Sequence, residues 1–304
     1  MELSFYYPGW IRKAITFSLD DGNVPLERKF FSYTKPAGMR GTFNLCTPLE
    51  RLSVPEYLEF YRGYEIANHC RYHAYPFAPK WERPISEEEF HPETANPDLL
   101  YKTNEKGLYH IHTWGWTYIA DNEKFKECVL SCTEELENVF GKGTVRDFVW
   151  PNGEQDNPEI LHWLETRFRS LRRTGNTKDS TGFALPEDRM HWKCNANYTC
   201  LPEVAGQYDR FPDDGTLKFF CFGVHAHDFE NNHCWNLLED LCSRLGNRPE
   251  DFWYATVGEI FDYEDATRAL ETTASAIRNP SRTDLYLSVN GNRLRLPAGA
   301  EIHL

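Results

Sequence analysis

From Ala14 onward the chain alternates short apolar, β-branched runs with stretches of helical spacing, and this alternation limits the possible folds more than any other feature. "AITFSL" is followed by the helical stretch "VPLERKFFSYTKPAG", "RGTFNLC" is followed by "VPEYLEFYRG", and "YEIANH" opens onto polar residues. Strands joined by helical crossovers pair in parallel, because each crossover returns the chain to the same end of the sheet. The rhythm fails from 75 to 120, where a polar, proline-containing, aperiodic stretch reads as a long excursion over the domain. It resumes at "DNEKFKECVLSCTEELENVFGKG", a helix with Asp121 as N-cap and Gly141 and Gly143 as its stop. "DFVWP", "PEILHWLETRF" and "SLRRTG" then read as strand, helix and strand. "FALPEDRMHWKCNANYTCLPEVAG" reads as loop, "LKFFCFGVHAH" as a buried strand and "CWNLLEDLCSRLG" as a helix. "FWYATVGEIFDYEDATRALETTASAIR" reads as strand, turn and helix. The tail alternates on either side of Asn290-Gly291, a hairpin signal. The expected organisation is an α/β unit over 1–280, with an insertion at about 75–120, and a β-hairpin appendage over 281–304.

Charge and cysteine usage narrow the partners. A formal net charge of −13 in 304 residues disfavours nucleic acid and anionic membrane, and suits a neutral substrate or one whose product becomes a cation. The nine cysteines are odd in number and form no Cys-x-x-Cys pair, so neither a disulfide framework nor a zinc finger is indicated. The opening "MELSFYYPGWIRK" has no secretory pattern, and no apolar run is long enough to span a membrane. A reduced, cytoplasmic setting is therefore expected. The 20 Phe, 16 Tyr and 9 Trp mostly supply core, with a remainder available to line a sugar-binding cleft.

Four buried strands end on residues that carry chemistry: "SLDDGN", "ANHCRYH", "VWPNGE" and "GVHAHDF". In parallel α/β folds functional groups collect at the carboxyl ends of strands. Asp20 and Asp21 suit a metal-dependent hydrolase, in which one carboxylate stays ionised on the cation while its neighbour takes a proton from the attacking water. An Asp-Gly turn accounts for the same residues without chemistry. His69 and His73 are four apart, the spacing that sets two imidazoles on one face of a helical turn. With one carboxylate they make a two-histidine, one-carboxylate set with open positions, suited to zinc or a similar divalent ion. His-x-x-x-His alone arises by chance, so the combination carries the inference.

"SLDDG", "NHCRYH", "WPNG" and "GVHAHDF" follow one another in the order found in NodB-like polysaccharide deacetylases, carbohydrate esterase family 4. The chain resembles that family from about Ala14 to Asp262, and "FWYATVGEIFDY" is similar to the closing barrel strand of a bacterial branch. The resemblance implies a distorted, incomplete (β/α) barrel and one divalent metal, zinc first, with cobalt or nickel as alternatives. It implies Asp21, His69 and His73 as ligands, Asp20 as general base and His225 as the acid that protonates the leaving amine. The backbone N–H of Asn152, after Pro151, would be the oxyanion donor.

The chain also departs from the family pattern. Val149 stands where the family has an arginine that tethers the catalytic aspartate, and Arg173 is the expected substitute. Asp188 and Trp192 are the nearest candidates for an Asp-x-x-Asp-Trp motif, and Cys70 replaces a Ser or Thr. His227 and Asp228 form a further polar cluster beside His225, with His227 facing either the cleft, by strand alternation, or solvent. His110 and His112 lie in "LYHIHTWGW", a lid, a sugar platform or a surface strand. The expected activity is removal of acetyl groups from N-acetylated sugars or oligosaccharides. The alternatives are an allantoinase-like amidohydrolase acting on another small amide or cyclic ureide, and an inactive carbohydrate-binding protein, which the missing arginine favours.

Overall fold

The computed structural model describes residues 1–76, 112–113, 116–119, 121–153, 157–178 and 181–303. Its centre is an eight-stranded parallel sheet: β1 (Lys13–Asp21), β2 (Gly41–Thr47), β3 (Glu65–Arg71), β4 (Asp147–Val149), β5 (Ser170–Asn176), β6 (Trp192–Cys194), β7 (Lys218–His225) and β8 (Trp253–Tyr254). The spatial order is β6-β5-β4-β3-β2-β1-β7, and β8 adds to β1 at Ala14 and Ile15. The sheet curls until its ends meet. Asn195, just past β6, donates its N–H to the Cys221 carbonyl of β7, and Gly223 donates back to Ala196. Closure is partial, because β2 pairs with β1 only from Phe17 onward and the short β8 takes its place below. The result is the expected incomplete (β/α) barrel.

The crossovers form for identifiable reasons. Helix α1 (Val24–Thr34) starts at Asn23, whose side chain accepts the N–H of Leu26, and has Pro25 in its first turn. Next come α2 (Val54–Phe60) and then α3 (Asn122–Phe140), which is capped by Asp121 and ended at Gly141, as its sequence indicates. Then come α4 (Pro158–Glu165), α5 (Leu201–Arg210), α6 (Ala226–Asn231), α7 (Trp235–Leu245) and α8 (Val257–Arg268). β1 is buried from Ala14 to Asp20, as a strand covered on both faces must be. Phe17, Phe30, Phe31 and Phe43 pack on one side of it, while Phe125, Phe148, Trp150 and Ile160 fill the space under α3 and α4. Each such side chain removed from water contributes about 1.5–3 kcal/mol.

Two expectations need correction. The stretch read as loop contains β6 and the first part of α5; Leu201, Val204 and Ala205 within it, and Tyr208 just beyond, are buried at i, i+3, i+4 and i+7, a helical period obscured by Pro202 and Gly206. The C-terminal hairpin exists, Leu285–Val289 against Asn292–Leu296, with Asn290 at φ +50° and Gly291 at φ +85° in its turn. It is not built from 281–304 alone. Leu3–Tyr6 is its third strand, and Leu285 and Leu287 share a core with Trp192, Phe219 and Phe261. Most of the 75–120 excursion, with His110, lies outside the described residues. Its described part pairs Ala74–Tyr75 with Trp116–Tyr118, and the latter with His112–Thr113, where His112 sits. Among the described residues no helix is long and apolar enough to cross a membrane.

Candidate metal centre

The carboxyl ends of β1, β3 and β7 bring the motif residues together. Asp20 and His225 are register partners on adjacent parallel strands, so their side chains share a face, and His225 Nε2 is 3.7 Å from Asp20 Oδ2. Asn44, Asp20's partner on β2, donates its amide N–H to Ser18 Oγ at 2.8 Å and to Asp20 Oδ1 at 2.7 Å. Strand alternation would turn Asp21 away from Asp20. Its backbone is left-handed instead, φ +84°, with Gly22 following at +74°, and this brings the carboxylate to the histidines.

His69 and His73 meet Asp21 without a helix. His69 lies in the buried part of β3, which ends at Cys70, and Tyr72 and His73 adopt left-handed φ of +58° and +53° in the turn beyond it, which corrects the helical-turn expectation. Their rings stand edge to face, 4.7 Å apart. The Nε2 atoms of His69 and His73 lie 3.5 and 3.6 Å from Asp21 Oδ1, and one ligand atom from each of the three residues falls within 4.8 Å of the others. Side-chain exposure rises from 1% at His69 through 12% at His73 and 28% at Asp21 to 38% at His227, so the cluster forms a cleft with a closed floor and an open lip.

The His69 tautomer tests whether this set fits a cation. Its Nδ1 is 2.9 Å from the Val149 carbonyl oxygen, which can only accept, so the proton sits on Nδ1. Nε2 then presents a lone pair to Asp21 Oδ1, and both atoms are buried without a hydrogen-bond partner. Two buried acceptors facing each other at 3.5 Å are unfavourable unless a positive charge lies between them. The site therefore fits a divalent ion, with nitrogen and oxygen donors of the kind zinc, cobalt and nickel accept. Burial pushes the imidazolium of His73 down to about 3, which leaves a neutral ring at ordinary pH. Burial opposes ionisation of Asp21, but the positive charge of His225 helps hold the carboxyl well below its usual range.

Beside the trio, Asp20 is 5% exposed and accepts from the guanidinium of Arg172. Burial would raise its pKa, yet Arg172 lowers it and keeps the carboxylate charged. The tether is thus Arg172 rather than Arg173: β5 is buried on both faces at Ser170, Leu171 and Arg172, so alternation in the sequence could not select between the two arginines. Gly223 leaves room for it, since a Cβ there would stand 2.8 Å from Cys194 Sγ and 3.2 Å from Arg172 Nη1. Arg172 and Asn44 are the site residues that sequence reasoning missed. An asparagine inside an apolar strand was the available signal for the second.

His225 Nδ1 lies 2.9 Å from Asp228 Oδ2, and the same oxygen accepts the His225 backbone N–H at 3.0 Å. Burial works against a charged ring, but Asp228 and the two aspartates of β1 lift His225 to about 9. His227 does face the cleft, though from the first turn of α6 rather than along β7; its ring stacks on His225 at 4.7 Å. After β4, Pro151, Asn152 and Gly153 form a turn with Asn152 at φ +60°. Cys70 is fully buried and donates its backbone N–H to Asn68 Oδ1. Trp192, the motif candidate, is 4% exposed and packed on Phe219 and Phe261. Asp188 is exposed and pairs with His191 at 2.6 Å.

No family model and no curated relative matches the chain. Solved structures similar to it include the Xyl-CE4 domain of a multidomain xylanase from the hindgut metagenome of Trinervitermes trinervoides, at 14% identity over 84% of this chain and 92% of that one, TM-score 0.48. A family 4 acetyl xylan esterase from Clostridium thermocellum in complex with a cobalt ion is similar at 11% identity, over 82% and 90% of the two chains, TM-score 0.43. A CE4 family pseudoenzyme from Bacillus anthracis is similar at 13% identity, over 82% and 65%, TM-score 0.41.

Proposed function

We propose that the chain is a metal-dependent hydrolase that removes acetyl groups from N-acetylated sugars or oligosaccharides. The observation that carries this reading is the pair of buried acceptors, His69 Nε2 and Asp21 Oδ1, set beside a second carboxylate, Asp20, that takes no part in that contact. Asp21, His69 and His73 would hold the ion, which when bound supplies Lewis acidity at an acyl oxygen and acidifies a water. Asp20, kept ionised by Arg172, accepts the proton from the attacking water. His225, kept protonated by Asp228, gives its Nε2 proton to the departing amine. The backbone N–H of Asn152 donates to the developing oxyanion. Arg172 meets the objection that favoured an inactive protein, since Asp20 has its guanidinium from β5 instead of β4. Nine free thiols support a reducing, cytoplasmic setting.

Acetate release over a panel of N-acetyl sugars and cyclic ureides, with zinc, cobalt and nickel in turn, tests the reading. Release from the sugars that is abolished by His69→Ala is the expected result. Turnover of ureides alone would move the assignment to the other amidohydrolase class. A chain that binds chito-oligosaccharide but releases nothing with any metal would be a binding protein.

A further inference from the structure

His69 and His227 present themselves to Asp21 in the same way. In His69, Nε2 is 3.5 Å from Asp21 Oδ1 while the other nitrogen, Nδ1, is tied to the Val149 carbonyl. In His227 the nitrogens exchange roles: Nδ1 is 3.6 Å from Asp21 Oδ2, and Nε2 faces Asp228 Oδ1 at 3.9 Å. A metal-bound imidazole commonly directs its remaining N–H at a carbonyl or carboxylate, which fixes both tautomer and ring. His69 fits that description at 2.9 Å, and His227 has a carboxylate on the corresponding side, 3.9 Å away and outside hydrogen-bond distance. Each oxygen of Asp21 therefore faces imidazole nitrogen: Oδ1 faces His69 and His73, and Oδ2 faces His227.

We propose that His227 is a third imidazole ligand of the ion held by Asp21, His69 and His73, binding through Nδ1. The proposal rests on the metal-site reading above and adds a residue to it. Donors on a first-row ion with bonds of ~2.0–2.2 Å stand about 3.0–3.5 Å apart. The separations of His69 and His73 from Asp21 Oδ1, 3.5 and 3.6 Å, are close to that size, and His227 is 3.6 Å from the other oxygen, Oδ2. His227 is the outermost of the three rings and lies outside the compact trio, so it joins by an inward movement from the lip. Asp228 serves both histidines with different oxygens, Oδ2 toward His225 and Oδ1 toward His227, and the bond to His225 survives that movement. The chemical consequence concerns metal choice. Asp21 and three imidazoles fill a four-coordinate ion, so an open position for substrate requires a five- or six-coordinate one, which favours cobalt or nickel over tetrahedral zinc.

Cobalt(II) binding to the whole chain tests this. Wild type and His227→Ala are compared by chelator competition and by their visible spectra. The expected result is one ion per chain in both, an affinity about 10- to 100-fold weaker in the variant, and displaced visible bands as a nitrogen donor is lost. His227→Cys gives an independent reading, since a thiolate on the ion produces a near-ultraviolet sulfur-to-cobalt band absent from the wild type. Unchanged affinity and spectrum in His227→Ala would overturn the proposal. So would two ions per wild-type chain with only one left in the variant, which would assign His227 to a second ion. A wild-type chain that binds no cobalt would instead overturn the metal-site reading itself.

Discussion

Arg172 donates to Asp20 inside the barrel from 152 residues away, and the two are 4% and 5% exposed. β5 and β1 are separated in the sheet by β4, β3 and β2, so only the curl of the sheet lets the pair form. The contact links the fold to the proposed chemistry: closure of the barrel delivers the cation that keeps the base ionised.

Loss of one member of this pair strands the other charge in a dry interior, which costs about 3–5 kcal/mol. Arg172→Met should lose about that much stability in urea unfolding. Combining it with Asp20→Asn, which removes the stranded charge, should restore most of the loss. A double variant no more stable than the single would mean that Arg172 acts through packing.

The adjacent aspartates should separate by metal content. Asp20→Asn should retain the ion in elemental analysis and lose about 10²–10⁴-fold in turnover, whereas Asp21→Ala should lose both. Because the ion binds only the folded chain, chelation should lower the melting temperature of wild type and of Asp20→Asn. Asp21→Ala should not respond.

Residue type at strand ends drew attention to Asp20, Asp21, His69 and the "GVHAH" segment, because a carboxylate or imidazole at the end of an apolar run is conspicuous in any sequence, whereas the choice of His225 within that segment came from the family resemblance. Backbone direction was not legible. Asp21 reaches the histidines through a left-handed φ, and His73 through a turn, neither of which period-2 or period-3.6 counting describes. Arg172 was missed in favour of its neighbour because both faces of β5 are covered, which erases the alternation that assigns a side to each residue. The hairpin at Asn290-Gly291 was legible from its turn, but its third strand, Leu3–Tyr6, lies at the far end of the chain and leaves no local sign.

Asp228 positions His225 with one oxygen that accepts both the ring Nδ1–H and the backbone N–H. At saturating metal, Asp228→Ala should still carry the ion and lower kcat by about 10²-fold, with a smaller change in KM, as expected when proton donation to the leaving group is impaired. Asp228→Glu, which keeps the charge on a longer arm, should recover part of kcat. A variant altered only in KM would place Asp228 in substrate binding.

Glu27 gives the fold a pH dependence separate from the chemistry. It lies fully buried on α1, where Oε2 accepts from Tyr61 Oη at 2.6 Å and Oε1 has no partner. Burial, with the charge of Asp21 adding to it, raises its pKa from 4.5 to about 8 against the opposing hydrogen bond from Tyr61. Between those values the folded chain holds a proton that the unfolded chain has released, so the contribution of Glu27 to stability falls as pH rises through the window. The full span corresponds to a loss on the order of 5 kcal/mol. Glu27→Gln keeps a neutral acceptor for Tyr61 and removes the titration. In urea unfolding at fixed metal concentration, the variant should gain on the wild type by several kcal/mol (~5 at most) between pH 5 and pH 8. A constant difference between the two proteins across that range would show that Glu27 is ionised in the native state.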